Sequence, residues 1–498
     1  MRRLVRSTAL LGLGSAATVV AAILRAKVLA ALLGPQGTGV IAQLSTLTAV
    51  LVPLATLGMG NGVIAMIAGA RSRGDERLIR RIQSTVLTLA LLVGVALALL
   101  AALASPWLTM AIYHDRAWVW VVLVGAATVP LSAVASLRST MLQGHEAISS
   151  LAKLSAVVAG VGVAAIVPMA WFFGLPGAVA QLLVVAAAYA VVSGRLLRPY
   201  SSPAPTDPAG VAGTAAPGAS VPGREPLIDR SLLRPLMRYG SSALLVGLAS
   251  TLTLLVIRSV LVSKLGLGQN GIYQVCVGVS GLYVPLILNS ITGVVWPQIA
   301  AQRSDEDTGA TMRQAMRLAF LLLTALIGAM LAGAPLWIPL LYSEKFLPAL
   351  DLLPIQFLGD FFRTAAWMFG IWLVPKNWLR PWVLFDLVYG VAMILAFWLL
   401  VDRIGIRSVV FAYVTAHVTH AVLHYLWARR SLGFRMGADN RRLLLASFAL
   451  LLGLACWTPR DLLGAALGAA ALLTWAVLVV RREEWGKAWG YVRRWIPV

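Results

Sequence analysis

Long apolar runs alternate with short polar breaks along the whole chain, and the runs recur at the length a helix needs to cross a bilayer. The breaks divide the chain into about fourteen helices of roughly 20 to 30 residues. Their extents are 7–33, 37–68, 83–112, 117–142, 149–173, 176–197, 238–265, 269–298, 314–342, 350–374, 379–401, 405–428, 441–457 and 461–480. The first run follows Arg2, Arg3 and Arg6 in the manner of a secretory signal, yet it is too long and has no convincing cleavage site before Arg25. It is therefore read as a retained first helix. A mean hydropathy of +0.84, with 59% hydrophobic and 12% charged residues, excludes a soluble globular fold. The fold class is an all-α polytopic membrane protein.

Residues 199 to 229 break the pattern with a stretch of Pro, Gly, Ala and Ser that cannot build a core and reads as a flexible tether. On either side the same plan recurs. Leu33-Gly34-Pro35-Gln36-Gly37-Thr38-Gly39-Val40 resembles Leu265-Gly266-Leu267-Gly268-Gln269-Asn270-Gly271-Ile272, and an arginine precedes each at similar depth, Arg25 and Arg258. Six helices separate the copies, so they share one orientation, a parallel repeat about an axis along the membrane normal. The expected organisation is two six-helix lobes, 1–198 and 233–430, joined by a cytoplasmic linker at 199–232. An additional helix pair and a basic interfacial tail occupy 431–498. In that tail Trp485, Trp489, Tyr491 and Trp495 interleave with Arg482, Lys487, Arg493 and Arg494, as in a helix lying on anionic lipid.

The net charge of +22 suggests nucleic acid until its placement is considered. With the N-terminus in the cytoplasm, roughly thirty of the 41 cations fall on cytoplasmic connections and about six outside. Topology thus accounts for the basic surface, nucleic acid is demoted as a partner, and both termini are expected inside. The external connections are short, leaving no room for an extracytoplasmic active site. Cys276 and Cys456 lie in apolar runs and make neither a disulfide framework nor a thiolate metal site.

Five cations sit within spans: Arg25, Lys27, Arg138, Arg258 and Arg363. Facing lipid they would cost on the order of 12 to 17 kcal/mol together, so they are expected to face protein or water. The buried anions are chiefly Asp360 and Asp386, too few to neutralise them, and a net positive cavity wants an anion. Each cation also has a plainer role open to it. Arg138 is close enough to the inner end of its helix to snorkel, Lys27 can reach the outer interface, and Arg363 lies one turn beyond Asp360, where an internal ion pair is open to it. Arg25 and Arg258 recur in both repeats and carry the ligand expectation most directly. His417, His420 and His424 share a helix face with the geometry of metal ligands or a proton relay, but the further histidines of a membrane di-iron site are missing. A polar helix contact or cavity lining is the plainer role, with ion coupling the sharper one. Asn61, between Gly60 and Gly62 and downstream of Pro53, suggests a bent second helix.

At these residues the sequence resembles a known family. The stretch through Arg25-Ala26-Lys27, Leu33-Gly34-Pro35-Gln36-Gly37-Thr38-Gly39, Gln43-Leu44-Ser45 and Leu57-Gly58-Met59-Gly60-Asn61-Gly62-Val63 is similar to the O-antigen and enterobacterial-common-antigen flippases. These belong to the multidrug, oligosaccharidyl-lipid and polysaccharide exporter superfamily. The likeness is specific over about the first 75 residues and topological through residue 430. It implies two lobes around a cationic cavity, in the bacterial inner membrane, that move an undecaprenyl-pyrophosphate-linked oligosaccharide outward by alternating access. The wider context it implies is O-antigen, lipopolysaccharide or other surface polysaccharide synthesis. Arg25 and Arg258, supported by Lys27, Arg363 and Arg138, would serve the pyrophosphate. Asp360, Asp386, His417, His420, His424, Asn61 and Gln43 would be cavity polar groups or serve H+ or Na+ coupling. No cofactor, metal or catalytic residue is implied. Anionic membrane lipids, and a polysaccharide polymerase or chain-length machinery, are the further partners to consider. The competing readings are a drug or cation exporter of the same superfamily, which would be expected to present carboxylates, a polyprenyl-linked sugar transferase or ligase, and a non-transporting scaffold.

Overall fold

The computed structural model describes residues 2–200, 227–457, 462–481, 483, 484 and 486, with side chains from residue 18. Most of the expected linker and of the aromatic, basic tail lies outside the described residues. Fourteen α-helices are described and no strand occurs among the described residues. They are α1 Arg2–Ala55, α2 Gly60–Ser72, α3 Glu76–Leu103, α4 Ser105–Tyr113, α5 Val119–Gly144, α6 Ile148–Leu197, α7 Arg230–Leu265, α8 Leu267–Ala301, α9 Asp305–Leu341, α10 Leu353–Gly370, α11 Leu379–Ile404, α12 Arg407–Leu432, α13 Ala438–Cys456 and α14 Leu462–Val479. Nine helical stretches among the described residues are long and apolar enough to cross a bilayer, which makes the chain a multi-pass membrane protein.

The count of elements and the count of expected spans do not map one to one. Helix α1 has 54 residues, about 80 Å if straight, against a hydrocarbon core of ~30 Å. It is broken at a single residue, Gly34 (φ 62°, ψ −166°), followed by Pro35, and α6 is broken in the same way at Gly174 (φ 58°, ψ −134°). Those dihedrals are open to glycine and strained for any residue with a Cβ. Helix α6 therefore holds two of the expected spans, and α1 holds the first and part of the second, which breaks at residues 56–59 and runs on into α2; at each kink the polar break shrinks to one residue.

The breaks also carry the repeat. Gly266 (φ 85°, ψ 170°), between α7 and α8, matches Gly34, while Gly405 (φ 57°, ψ −135°), between α11 and α12, matches Gly174 almost to the degree. Glu146 and Asn377 form a third pair. Both have positive φ after a helix end, and in both the next residue donates its N–H five residues back, Ala147 to Leu142 O and Trp378 to Leu373 O. This is the Schellman closure of a helix C-terminus. The three pairs are the same number of residues apart to within one, so the recurrence read from one loop runs through the backbone of both halves.

Contacts divide the chain into two compact units, Met1–Ser263 and Lys264–Val498. Most of α7 thus packs with the first unit, although it follows the linker. At one end Leu232 and Leu236 are buried in a core with Met59, Val63, Ile67, Ile82, Val86 and Met141. A Cβ on Gly62 would come 2.5 Å from Leu236 O, and one on Gly240 would overlap the Gly58 carbonyl. Small residues let the two backbones approach. Asp229, ahead of α7, pairs with Arg81 and donates its N–H to Thr85 Oγ1 at 2.9 Å. At the other end His114 Nε2–H donates to Ser259 O at 3.1 Å, and Ser259 Oγ donates to Ala111 O.

In the second unit α10 packs on α12 and α11 on α12, while α9 carries α13 and α14 on its flank. A Cβ on Gly468 would lie 3.1 Å from Ala332 Cβ, Phe448 meets Phe362 at 5.5 Å between ring centroids, and Asn440 Nδ2 donates to Arg313 O at 2.9 Å. Arg317 donates to Glu484 at 2.8 Å and to Val479 O at 3.2 Å. The additional pair is therefore an integral part of this unit.

Candidate functional site

A polar network among α8, α10 and α12 centres on Asp360, in α10, which is fully buried. Ser280 and Tyr283, one turn apart on α8, donate to its Oδ2 at 2.6 and 2.5 Å, and Tyr413 on α12 donates to Oδ1 at 2.8 Å. Gln356, one turn before Asp360, donates to Ser280 Oγ at 3.1 Å. A carboxylate out of reach of water must be met by donors or cations, and three hydroxyls from two other helices meet this one. Arg363 Nη1 donates to Tyr413 OH at 3.5 Å. Arg363 thus reaches the carboxylate through the tyrosine rather than as the direct ion pair that the one-turn spacing allowed.

Glycine makes the arrangement possible. A Cβ at Gly359 would overlap the Tyr413 ring, and one at Gly370 would overlap His424. The Gly359→Ala variant is expected to push Tyr413 off Asp360 and leave a buried acceptor short of one donor, at a cost of ~1 to 3 kcal/mol. Thermal unfolding in detergent checks this, and an unchanged melting temperature would show that the ring can yield.

From Tyr413 a ladder of rings continues along α11 and α12. His417 lies 4.4 Å from Tyr413 and 4.7 Å from Tyr389, His420 lies 5.5 Å from Tyr389, and His424 lies 4.3 Å from His420 and 5.1 Å from Phe385, all between centroids. His424 Nδ1 is 3.0 Å from His420 O, whereas His417 Nδ1 and His420 Nε2 are buried without a hydrogen-bond partner among the described residues. No group of three His, Cys, Asp or Glu side chains among the described residues is placed to hold a metal ion. Asp386 lies on α11, half-buried, one turn before Tyr389.

The other expected site residues belong to the first unit. Arg25 is half-buried on α1 beside Gly162 of α6, and its Nε, shielded from solvent, has no hydrogen-bond partner among the described residues. Arg258, on α7, is only 1% exposed. Both arginines therefore fall within the same contact unit. Arg138 Nη1 donates to Ala190 O at 2.8 Å, tying α5 to α6. Gln43 is buried and donates to Ile112 O at 3.1 Å, which gives it a tie between α1 and α4. Asn61 is exposed and Lys27 half-buried. The structure thus gathers Asp360, Arg363 and the histidines into one unit and leaves Arg25, Arg258, Lys27, Arg138, Gln43 and Asn61 in the other.

Sequence reasoning missed Ser280, Tyr283, Gln356, Tyr389 and Tyr413. Two signals were present: Ser280 and Tyr283 stand three apart in an apolar run, and Tyr413 begins the stripe that continues through His417, His420 and His424.

Known proteins resemble the chain across most of its length. The lipid III flippase of Escherichia coli K12 is 24% identical over 420 residues, covering 82% of this chain and 95% of that protein, and the Shigella flexneri lipid III flippase matches to the same extent. Among solved structures, an inward-facing multidrug resistance MATE family transporter of the MOP superfamily aligns with a TM-score of 0.68 at 16% identity, over 84% of this chain and 94% of that one. A MOP superfamily transporter from Pyrococcus furiosus aligns at 0.62 and 15% identity, over 86% and 95%. At that identity the likeness establishes the fold. Residues 4–302 match the family described as polysaccharide biosynthesis protein, and since this is more than half of the sequence, the chain belongs to that family.

Proposed function

We propose that the protein is a flippase for a lipid-linked oligosaccharide in surface polysaccharide synthesis. The reading is carried by the match to lipid III flippases over nearly their whole length. The physical task fits a protein without catalytic machinery: a diphosphate and a string of hydroxyls do not cross ~30 Å of hydrocarbon unaided. In this reading the substrate is an undecaprenyl-pyrophosphate-linked oligosaccharide, moved from the inner to the outer leaflet of the bacterial inner membrane by alternating access, with both termini cytoplasmic.

Arg25 and Arg258 are the proposed pyrophosphate ligands. A shielded, unpartnered Arg25 Nε and the recurrence of an arginine at matched depth support them. Arg258 is buried in the conformation described, so the reading requires a state in which α7 brings it to substrate. The Asp360 network is the proposed coupling centre for H+ or Na+, because a buried carboxylate that three hydroxyls can either satisfy or release is suited to exchange a cation.

Depleting the protein from its host tests the function as a whole. Undecaprenyl-pyrophosphate-linked oligosaccharide should accumulate in the cytoplasmic leaflet, out of reach of a glycosidase added to spheroplasts. Unchanged levels and unchanged access would reject the flippase reading.

A further inference from the structure

A pocket of about 600 Å³ opens on the second unit between α8 and α10, and none of its lining residues is charged. On α8 it is lined by Asn289, Thr292, Gly293 and Trp296, which fall on one helix face at spacings of three and four. Trp367 and Pro375 close it from the other side. Trp367 is 39% exposed, and its Nε1–H donates to Thr292 Oγ1 at 3.0 Å, which ties the indole to α8. Trp296 Nε1–H is shielded from solvent and has no acceptor among the described residues. Asn289 is exposed about 18 Å from the end of α8, at a depth where an amide turned to lipid is costly. Gly293 leaves space on the α8 side of the pocket, since a Cβ there would meet nothing within 4 Å.

We propose that this pocket is a saccharide subsite, which takes one or more pyranose rings of the oligosaccharide. The inference rests on the flippase reading. A pyranose has an apolar face of C–H bonds that packs on the negative face of an indole, and a rim of hydroxyls that both donate and accept. The pocket offers the counterparts of both: two indoles, an exposed amide and a hydroxyl. Its size falls within the roughly 300 to 1,000 Å³ of small-molecule sites. The uncharged lining points to the glycan rather than the pyrophosphate. An aromatic belt at the membrane interface explains a tryptophan but not an exposed amide nearly two helical turns deeper on the same helix.

The full chain in lipid nanodiscs tests the subsite with two probes, undecaprenyl pyrophosphate and the same lipid carrying a trisaccharide of N-acetylhexosamines. The quantity read is the ratio of the two affinities, so that each variant is its own reference. In the wild-type protein the glycan should tighten binding about tenfold. Gly293→Leu, whose Cβ has no heavy atom within 4 Å and whose side chain takes up pocket space, and Trp367→Ala should erase that gain, while Trp367→Phe, which keeps an aromatic face, should retain part of it. A gain that survives Gly293→Leu or Trp367→Ala, or no gain in the wild type, would overturn the subsite and leave the flippase reading standing. Failure of the wild type to bind either lipid would bring down the flippase reading and the subsite with it.

Discussion

The Asp360→Asn variant is expected to lose transport by at least about tenfold, equivalent to ~1.4 kcal/mol, while the protein still inserts and folds. Asparagine keeps the shape of the side chain but removes the charge and presents an amide N–H2 to hydroxyls that need an acceptor. The immediate structural cost is about 1 to 3 kcal/mol from a network in which Ser280, Tyr283 and Tyr413 converge. A coupling role requires more than this loss. Transport by the wild type should depend on an imposed H+ or Na+ gradient, and the residual transport of the variant should not. A variant that keeps the same gradient dependence at a lower rate would place Asp360 in packing alone. Tyr413→Phe separates the two further, because it removes one donor and the bridge to Arg363 while leaving the carboxylate in place.

The second large effect concerns the arginines. Loss of charge-assisted hydrogen bonds to a diphosphate costs ~1.5 to 3 kcal/mol, so Arg25→Ala is expected to weaken binding of undecaprenyl pyrophosphate about ten- to a hundredfold. Arg258 is buried, and its replacement by alanine would also open a cavity; Arg258→Lys is the more informative change. Lysine keeps the charge but not the planar fork, and should lower binding with little change in melting temperature. Normal binding in both Arg25→Ala and Arg258→Lys would assign the pair to helix packing. The same assay applied to Arg138→Lys should show little change, since that guanidinium is already committed to Ala190 O.

Much of the architecture was legible because a bilayer imposes one length scale on every span, and because composition leaves no soluble alternative. The repeat was legible at Leu33-Gly34 and Leu265-Gly266, where the backbone needs glycine, and it extends to Gly174 and Gly405, which sequence inspection passed over. Two things were not legible. The breaks at Gly34 and Gly174 are one residue long, so a hydropathy pattern cannot tell a loop from a kink there. The assignment of α7 to the first unit depends on how closely backbones approach at Gly58, Gly62 and Gly240, which is a property of pairs of helices rather than of either alone.

The site divides in the same way. Charged residues in apolar runs announce themselves through their cost, and Asp360, Arg363, Arg25 and Arg258 were all found by it. Their partners were not. Ser280, Tyr283 and Tyr413 are ordinary residues of membrane helices until α8, α10 and α12 bring them to one carboxylate, and Tyr413 reaches it because residue 359 has no side chain. An Asp360–Arg363 ion pair is one of the roles that one-turn spacing on an isolated helix leaves open, and in the structure Tyr413 from a neighbouring helix bridges the two side chains. Gln43 likewise carries a backbone tie that sequence alone did not suggest.

The most direct test is flipping by the purified wild-type protein in proteoliposomes, with a fluorescent undecaprenyl-pyrophosphate-linked oligosaccharide in both leaflets and a membrane-impermeant quencher outside. Signal from the inner leaflet should become quenchable at a rate that scales with protein, and should stay protected in protein-free vesicles. An inner-leaflet signal that stays protected, in vesicles where the same protein moves a cationic drug, would contradict the flippase reading.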